Sequence, residues 1–61
     1  MKRTDLLRHL SAHGCRFVRQ GRRHTVVENA TNGLRSAVPR HREIAERLAH
    51  AICKQLGIPI P

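Results

Sequence analysis

Apolar residues near the start of the chain follow a helical repeat. Leu6, Leu7 and Leu10 lie three to four residues apart, so their side chains would share one face of a helix. Thr4 precedes them and suits the N-cap position, because its hydroxyl can accept a hydrogen bond from a free backbone N–H of the first turn. The pattern predicts a first helix over about residues 5–13, with an acidic residue in its first turn.

A second helical repeat occupies the last third of the chain. Its apolar residues recur every four positions, at Ile44, Leu48, Ile52 and Leu56. This repeat predicts a helix over Ile44–Leu56, and Gly57 suits the left-handed residue that ends a helix. Glu43 and Arg47 are spaced for an i,i+4 ion pair, and the near-neutral charge of this helix favours a role in packing.

The segment between the two repeats has the composition of strands. Branched and alternating residues, interrupted by Gly21 and by a polar turn, predict three strands over Cys15–Gln20, His24–Glu28 and Leu34–Val38. Asn32 and Gly33 can take the positive φ angles that a tight hairpin turn needs. The strands should therefore form antiparallel hairpins.

The order α-β-β-β-α predicts a small α+β fold. A three-stranded antiparallel sheet with one polar face must bury its other face, so both helices should pack on that one face. A chain of 61 residues has room for one small domain, which we place at residues 1–61.

The charge of the chain limits the classes of partner that it is expected to bind. Twelve Lys and Arg against four Asp and Glu give a net charge of +8, and ten of the twelve are Arg. Residues 15–42 carry seven Arg and one Glu, so the predicted sheet is the basic region. Arg suits phosphate recognition, which favours a nucleic-acid partner on the sheet side. Phe17 is the single aromatic residue, and this disfavours recognition by base stacking.

The remaining composition favours a soluble cytoplasmic protein. The sequence after Met1 has no apolar run typical of a signal peptide or a membrane span. Cys15 and Cys53 are too few for a disulfide scaffold and are expected to pack as small apolar residues. His9 and His13 could share a metal ion on one helix face, but no closed ligand set is evident, so ordinary surface histidines are the favoured interpretation.

The run Gly21-Arg22-Arg23-His24-Thr25 is the strongest candidate for chemistry. It places two guanidinium groups and then an imidazole at the start of a strand. RNA can be cut without metal when a base takes the 2′-hydroxyl proton and cations stabilise the phosphorane, and His is the natural base near neutral pH. Spacing alone does not decide the question, because a single His in a basic hairpin is more often an ordinary polar strand residue.

Several segments, in their order and spacing, give the chain a resemblance to the HicA-type toxins of type II toxin–antitoxin systems. These are the run Leu6-Leu7-Arg8-His9-Leu10, Val18-Arg19-Gln20 before Gly21, Val38-Pro39-Arg40-His41, and Lys54-Gln55-Leu56-Gly57-Ile58. The resemblance implies a double-stranded-RNA-binding-like fold, metal-independent mRNA cleavage and a HicB-type antitoxin partner. Under it, His24 matches the catalytic histidine of the family.

The resemblance also makes the segment after the third strand part of the RNA-facing rim. The expected RNA contacts are Arg22, Arg23, Arg40, His41 and Arg42, with His41 either positioning phosphate or serving as a second acid. No cofactor, metal, membrane or small-molecule ligand is expected. We therefore predict an endoribonuclease toxin. The rivals are a non-catalytic RNA- or DNA-binding module of the same fold and an interaction protein whose basic face binds an acidic partner.

Overall fold

Two helices pack on one face of a three-stranded antiparallel sheet in a computed structural model that describes residues 1–61. The elements are α1 (Arg3–Ala12), β1 (Cys15–Gln20), β2 (His24–Asn29), β3 (Arg35–Pro39) and α2 (Glu46–Leu56). The strands lie in the order β1-β2-β3, and each pairs with its neighbour in the chain. The predicted α+β fold and its α-β-β-β-α order are confirmed.

The core lies between the two helices and one face of the sheet. Ten buried apolar residues form it, namely Leu6, Leu10, Cys15, Val27, Val38, Ile44, Ala49, Ile52, Cys53 and Leu56. Alternation along β2 and β3 directs Thr25, Val27 and Val38 to this core face, while His24 and Glu28 alternate with them on the outer face. The strand that carries His24 is thereby anchored by its buried neighbours.

Strand β1 leaves the core after its first residue. Cys15 is buried, but Phe17 is 64% exposed and Val18 is 41% exposed. The pairing with β2 shifts between Phe17 and Arg19, so Val18 is the extra residue of a β-bulge. The bulge places Arg19 opposite Val26 on the outer face of the sheet.

Helix α1 begins earlier than its sequence pattern predicts. It starts at Arg3 with Lys2 at the N-cap position, no side chain caps it, and it ends at Ala12. Thr4 was predicted to be the N-cap, and this is wrong. The helix includes Arg3 because the Arg3 backbone N–H, which has no acceptor within the helix, donates to the carbonyl of Arg42, 2.9 Å away.

Helix α2 begins later than predicted, at Glu46 instead of Ile44. Ile44 is buried in an extended segment, where its N–H donates to the Met1 carbonyl (2.8 Å) and its own carbonyl accepts from the Met1 amino group (3.0 Å). The predicted Glu43–Arg47 ion pair is also wrong, because Glu43 precedes the helix and its carboxylate faces the Met1 amino group at 3.4 Å.

The end of α2 matches its sequence signal and is tied to the β2–β3 turn. Gly57 has a φ of +70°, and the Ile58 N–H donates back to the Cys53 carbonyl at 3.0 Å. The side-chain amides of Asn29 and Asn32 both donate to the Leu56 carbonyl, at 2.8 and 3.1 Å. These bonds satisfy a carbonyl at the helix terminus that has no partner within the helix.

The β2–β3 turn uses one positive φ angle and not two. Gly33 adopts a φ of +75°, whereas Asn32 stays outside the left-handed region. The Asn32 side-chain oxygen accepts from the Leu34 N–H at 2.9 Å, and Leu34 lies in the turn, one residue before β3. No helix in the fold is both long enough and apolar enough to cross a membrane.

Candidate functional site

Backbone hydrogen bonds close the turn between β1 and β2 and tie it to the segment that follows β3. The Gly21 N–H donates to the His24 carbonyl at 2.8 Å, and the Arg40 N–H donates to the Arg23 carbonyl at 2.9 Å. The Arg40 guanidinium also donates to the Gly21 carbonyl at 3.2 Å. A Cβ at position 21 would lie 3.2 Å from the His24 carbonyl, so glycine suits this close approach.

Strand pairing brings the two predicted halves of the site together. His24 pairs with Pro39 at the end of the β2–β3 ladder, so the residues after Pro39 run beside the Arg22–His24 turn. An open cleft of about 560 Å³ lies there, and we call it the His24 cleft. Its lining residues are Arg22, Arg23, His24, Pro39, Arg40, His41 and Leu48. Five of the six predicted site residues therefore share one cleft.

Arg42, the sixth predicted residue, lines a different cleft. This neighbouring cleft of about 370 Å³ is lined by Lys2, Arg3, Thr4 and Arg42, and we call it the Arg42 cleft. The segment 40–42 separates the two clefts, because Arg40 and His41 line one and Arg42 lines the other. The structure therefore divides the predicted phosphate contacts between two places.

Arg3 supports the strand ends beside His24, and sequence reasoning missed it. Its Nη2 donates to the Thr25 hydroxyl at 2.8 Å, and its Nε donates to the Pro39 carbonyl at 3.0 Å. Thr25 follows His24, and Pro39 is the pairing partner of His24. These partners lie 22 and 36 residues from Arg3 in the chain, so no local pattern could have indicated the contact.

The His24 side chain is free to meet a ligand. It is exposed, its ring makes no hydrogen bond within the chain, and no carboxylate lies within 4.0 Å of it. Its neighbour Thr25 is fully buried and holds the strand in place. A solvent-facing imidazole on a fixed backbone is a geometry that can accept or donate a proton to a bound substrate.

The positive charge of the His24 cleft is not neutralised within the chain. Arg22, Arg23 and Arg40 form no ion pair, and no acidic residue lines the cleft. The Glu46 carboxylate faces the Met1 amino group at 3.6 Å and His50 at 3.7 Å. Unpaired cations around an open cleft attract a polyanion.

The outer face at the end of the sheet opposite His24 is electrostatically different. The Glu28 carboxylate accepts a hydrogen bond from Arg16 on β1 and another from Arg35 on β3, both at 2.9 Å. These two hydrogen bonds hold the pKa of Glu28 below its usual value. Two of the seven arginines in the basic region are therefore paired within the sheet.

The cysteines and the histidines of α1 lie outside the His24 cleft. Cys15 and Cys53 are free and buried, as predicted, and burial raises the pKa of both thiols. His9 and His13 lie with their ring centroids 4.5 Å apart, and His9 Nε2 is 2.7 Å from the Pro59 carbonyl. The structure contains no group of three or more His, Cys, Asp or Glu side chains arranged to hold a metal ion.

An apolar groove of about 280 Å³ separates α1 from β1. The groove is lined by five apolar residues and two polar ones, namely Leu7, Leu10, Cys15, Phe17 and Val27 with Ser11 and Arg16. Its single cation, Arg16, is already paired with Glu28. The groove offers apolar contact and no candidate for acid–base chemistry.

Comparison with protein families identifies the chain. The family model described as the HicA toxin of bacterial toxin–antitoxin systems matches residues 3–58. The chain belongs to the HicA toxin family. The match covers every residue of the His24 cleft, and it confirms the resemblance seen in the sequence motifs. This HicA toxin therefore has an antitoxin as its partner. Searches of curated proteins and of solved structures returned no significant match.

Proposed function

We propose that this HicA toxin is a metal-independent endoribonuclease that cleaves mRNA in the His24 cleft and so blocks translation. The observation that carries the proposal is an exposed, unpaired imidazole beside three arginines without carboxylate partners. The cations would hold the phosphodiester, and the imidazole would move the proton.

The reaction proposed at His24 is an internal transfer at phosphorus. A base removes the 2′-hydroxyl proton, the 2′-oxygen bonds to phosphorus, and the bond from phosphorus to the 5′-oxygen breaks. An acid protonates the leaving 5′-oxygen, so the products carry a 2′,3′-cyclic phosphate and a 5′-hydroxyl. His24 serves as the base or the acid. His41 lines the same cleft and is the candidate for the second role or for positioning the phosphate.

Arg22, Arg23 and Arg40 are proposed to stabilise the negative charge that develops on the phosphorane. Arg40 already donates to the Gly21 carbonyl, so its guanidinium is held at the turn and can meet a phosphate there. Arg22 and Arg23 are exposed and line the same cleft. Stabilisation by several guanidinium groups suits a transition state with more negative charge than the substrate.

The antitoxin is proposed to be of the HicB type and to cover the His24 cleft. A cleft that cuts the messages of its own host must be blocked during normal growth, and its positive charge favours an acidic partner surface. Backbone protection of residues 21–24 from hydrogen exchange in the complex would support direct occlusion.

The proposal is tested by incubating the purified chain with RNA in EDTA, beside His24→Ala and His50→Ala. His50 is the matched control, because it is exposed on α2 and does not line the cleft. We expect the parent and His50→Ala to cleave, and His24→Ala to lose a factor of about 10² to 10⁴ in rate, or about 3 to 5 kcal/mol of barrier. Circular dichroism and thermal unfolding should show that His24→Ala folds normally.

Each of three results would contradict a part of the proposed function. Cleavage by His24→Ala within a few-fold of the parent rate would remove His24 from the chemistry. Cleavage that stops in EDTA would contradict a metal-independent reaction. RNA binding without any cleavage would support the rival interpretation, a non-catalytic nucleic-acid-binding module of the same fold.

A further inference from the structure

The Arg42 cleft has a composition suited to one class of ligand. Its four lining residues supply two guanidinium groups, one ammonium group and one hydroxyl, and none of them is apolar or acidic. Such a lining offers hydrogen-bond donors and positive charge and no surface for an apolar ligand. The ligand it fits is a phosphate group.

Three acidic residues lie close to this cleft in sequence, and none of them pairs with its cations. Asp5 follows Thr4 directly, and its carboxylate faces the Arg8 guanidinium at 3.6 Å. Glu43 follows Arg42 directly, but its carboxylate faces the Met1 amino group at 3.4 Å, and Glu46 faces the same amino group at 3.6 Å. Lys2 and Arg42 form no ion pair and are both exposed. Their charges are therefore available to an external anion.

The two clefts are joined through a shared wall. The segment 40–42 contributes to both of them, and Arg3, which lines the Arg42 cleft, donates to the carbonyl of Pro39, which lines the His24 cleft. A polyanionic strand bound at His24 thus meets a second unpaired cationic site immediately beyond the Arg40–Arg42 segment.

Resting on the proposed function, we propose that the Arg42 cleft is a second phosphate-binding subsite for the RNA strand cleaved at His24. Lys2 and Arg42 would contact a phosphate outside the scissile bond, and the Thr4 hydroxyl would donate to the same group. Arg3 holds the wall between the subsites through its bonds to Thr25 and Pro39. The subsite would favour RNA long enough to span both clefts over a dinucleotide.

The test measures RNA binding as a function of RNA length, using fluorescence anisotropy and the His24→Ala chain so that the RNA stays intact. The variant Lys2→Gln/Arg42→Gln is compared with Arg47→Gln/Lys54→Gln, which removes the same two charges from α2. The backbone groups of Lys2 and Arg42 that bond to α1 are unchanged by these substitutions. Thermal unfolding of each chain checks the fold.

We expect Lys2→Gln/Arg42→Gln to weaken binding only of RNA that spans both clefts. For that RNA, the slope of log affinity against log salt should fall by about 0.7, because one phosphate contact on a single strand contributes roughly that much. An equal loss for a dinucleotide and for long RNA would overturn the subsite and indicate diffuse attraction. An equal effect of Arg47→Gln/Lys54→Gln would also overturn it. If the parent still cleaves RNA in either case, the proposed function stands without the subsite.

Discussion

The two ends of the sheet use arginine in opposite ways. At the end opposite His24, Arg16 and Arg35 bind the two oxygens of Glu28, so one carboxylate links all three strands. At the His24 end, Arg22 and Arg23 have no carboxylate partner and face an open cleft. The comparison separates arginines that hold the sheet together from arginines that are available to a ligand.

Counting charges in the sequence does not distinguish the paired arginines from the unpaired ones. Residues 15–42 contain seven Arg, and the sequence predicted the whole region as a basic surface. Pairing with Glu28 removes two of them from that surface, and the bulge at Val18 places a third, Arg19, beside Val26. Arg22, Arg23 and Arg40 remain unpaired around the acid–base candidate, which is the arrangement that phosphate chemistry needs.

The largest effect on RNA affinity is expected when each pair of arginines is replaced by alanine in turn. Arg22→Ala/Arg23→Ala should weaken binding to all RNA sequences and lower the slope of log affinity against log salt by about 1.4, since each phosphate contact contributes roughly 0.7. Arg16→Ala/Arg35→Ala removes the same charge, but these side chains are engaged with Glu28. The second variant should bind RNA almost as the parent does and unfold at a lower temperature.

Equal losses of affinity in the two variants would contradict the distinction between paired and free arginines. A change in sequence preference at an unchanged salt slope would assign Arg22 and Arg23 to base edges instead of phosphate. Titrations at several salt concentrations distinguish these outcomes.

A smaller effect is expected at Glu28, and it should depend on pH. Because the pKa of Glu28 is lowered in the folded chain, its ion pairs stabilise the fold above the unfolded pKa of about 4.3 and lose that contribution as pH falls through the folded pKa. Glu28→Gln should therefore lower the melting temperature at pH 7, and the difference from the parent should shrink in acid. RNA cleavage should change little.

A melting-temperature difference that persists unchanged to low pH would mean that charge at Glu28 does not stabilise the sheet. Arg22→Ala/Arg23→Ala is the control, because these exposed side chains have no acidic partner and should show no such pH dependence.

The sequence predicted the fold better than the start of each helix. Periodicity located all five elements. The buried residues of β2 and β3 alternate, and those of α2 recur three to four positions apart, although Leu48 of the predicted stripe is 40% exposed. The start of α1 depends on a bond from Arg3 to the Arg42 carbonyl, and the start of α2 depends on the pairing of Ile44 with Met1. Contacts between distant parts of the chain override local signals such as the Thr4 hydroxyl.

The candidate site was predicted in part for the same physical reason. The run from Arg22 to His24 is local, so it was visible in the sequence, and the pairing of His24 with Pro39 brings Arg40 and His41 beside it. The position of Arg42 in a second cleft depends on its neighbours Lys2, Arg3 and Thr4 from the other end of the chain. That assembly requires the folded structure.

The central claim is that RNA is cut in the His24 cleft by attack of its own 2′-oxygen. The most direct measurement uses an RNA whose cleavage site has been mapped, with and without a single 2′-deoxynucleotide on the 5′ side of that bond, in EDTA. The all-ribose strand should yield a 2′,3′-cyclic phosphate and a 5′-hydroxyl, and the deoxy-substituted strand should not be cut at that bond. Cleavage of the deoxy-substituted bond, or products with a 5′-phosphate, would contradict it.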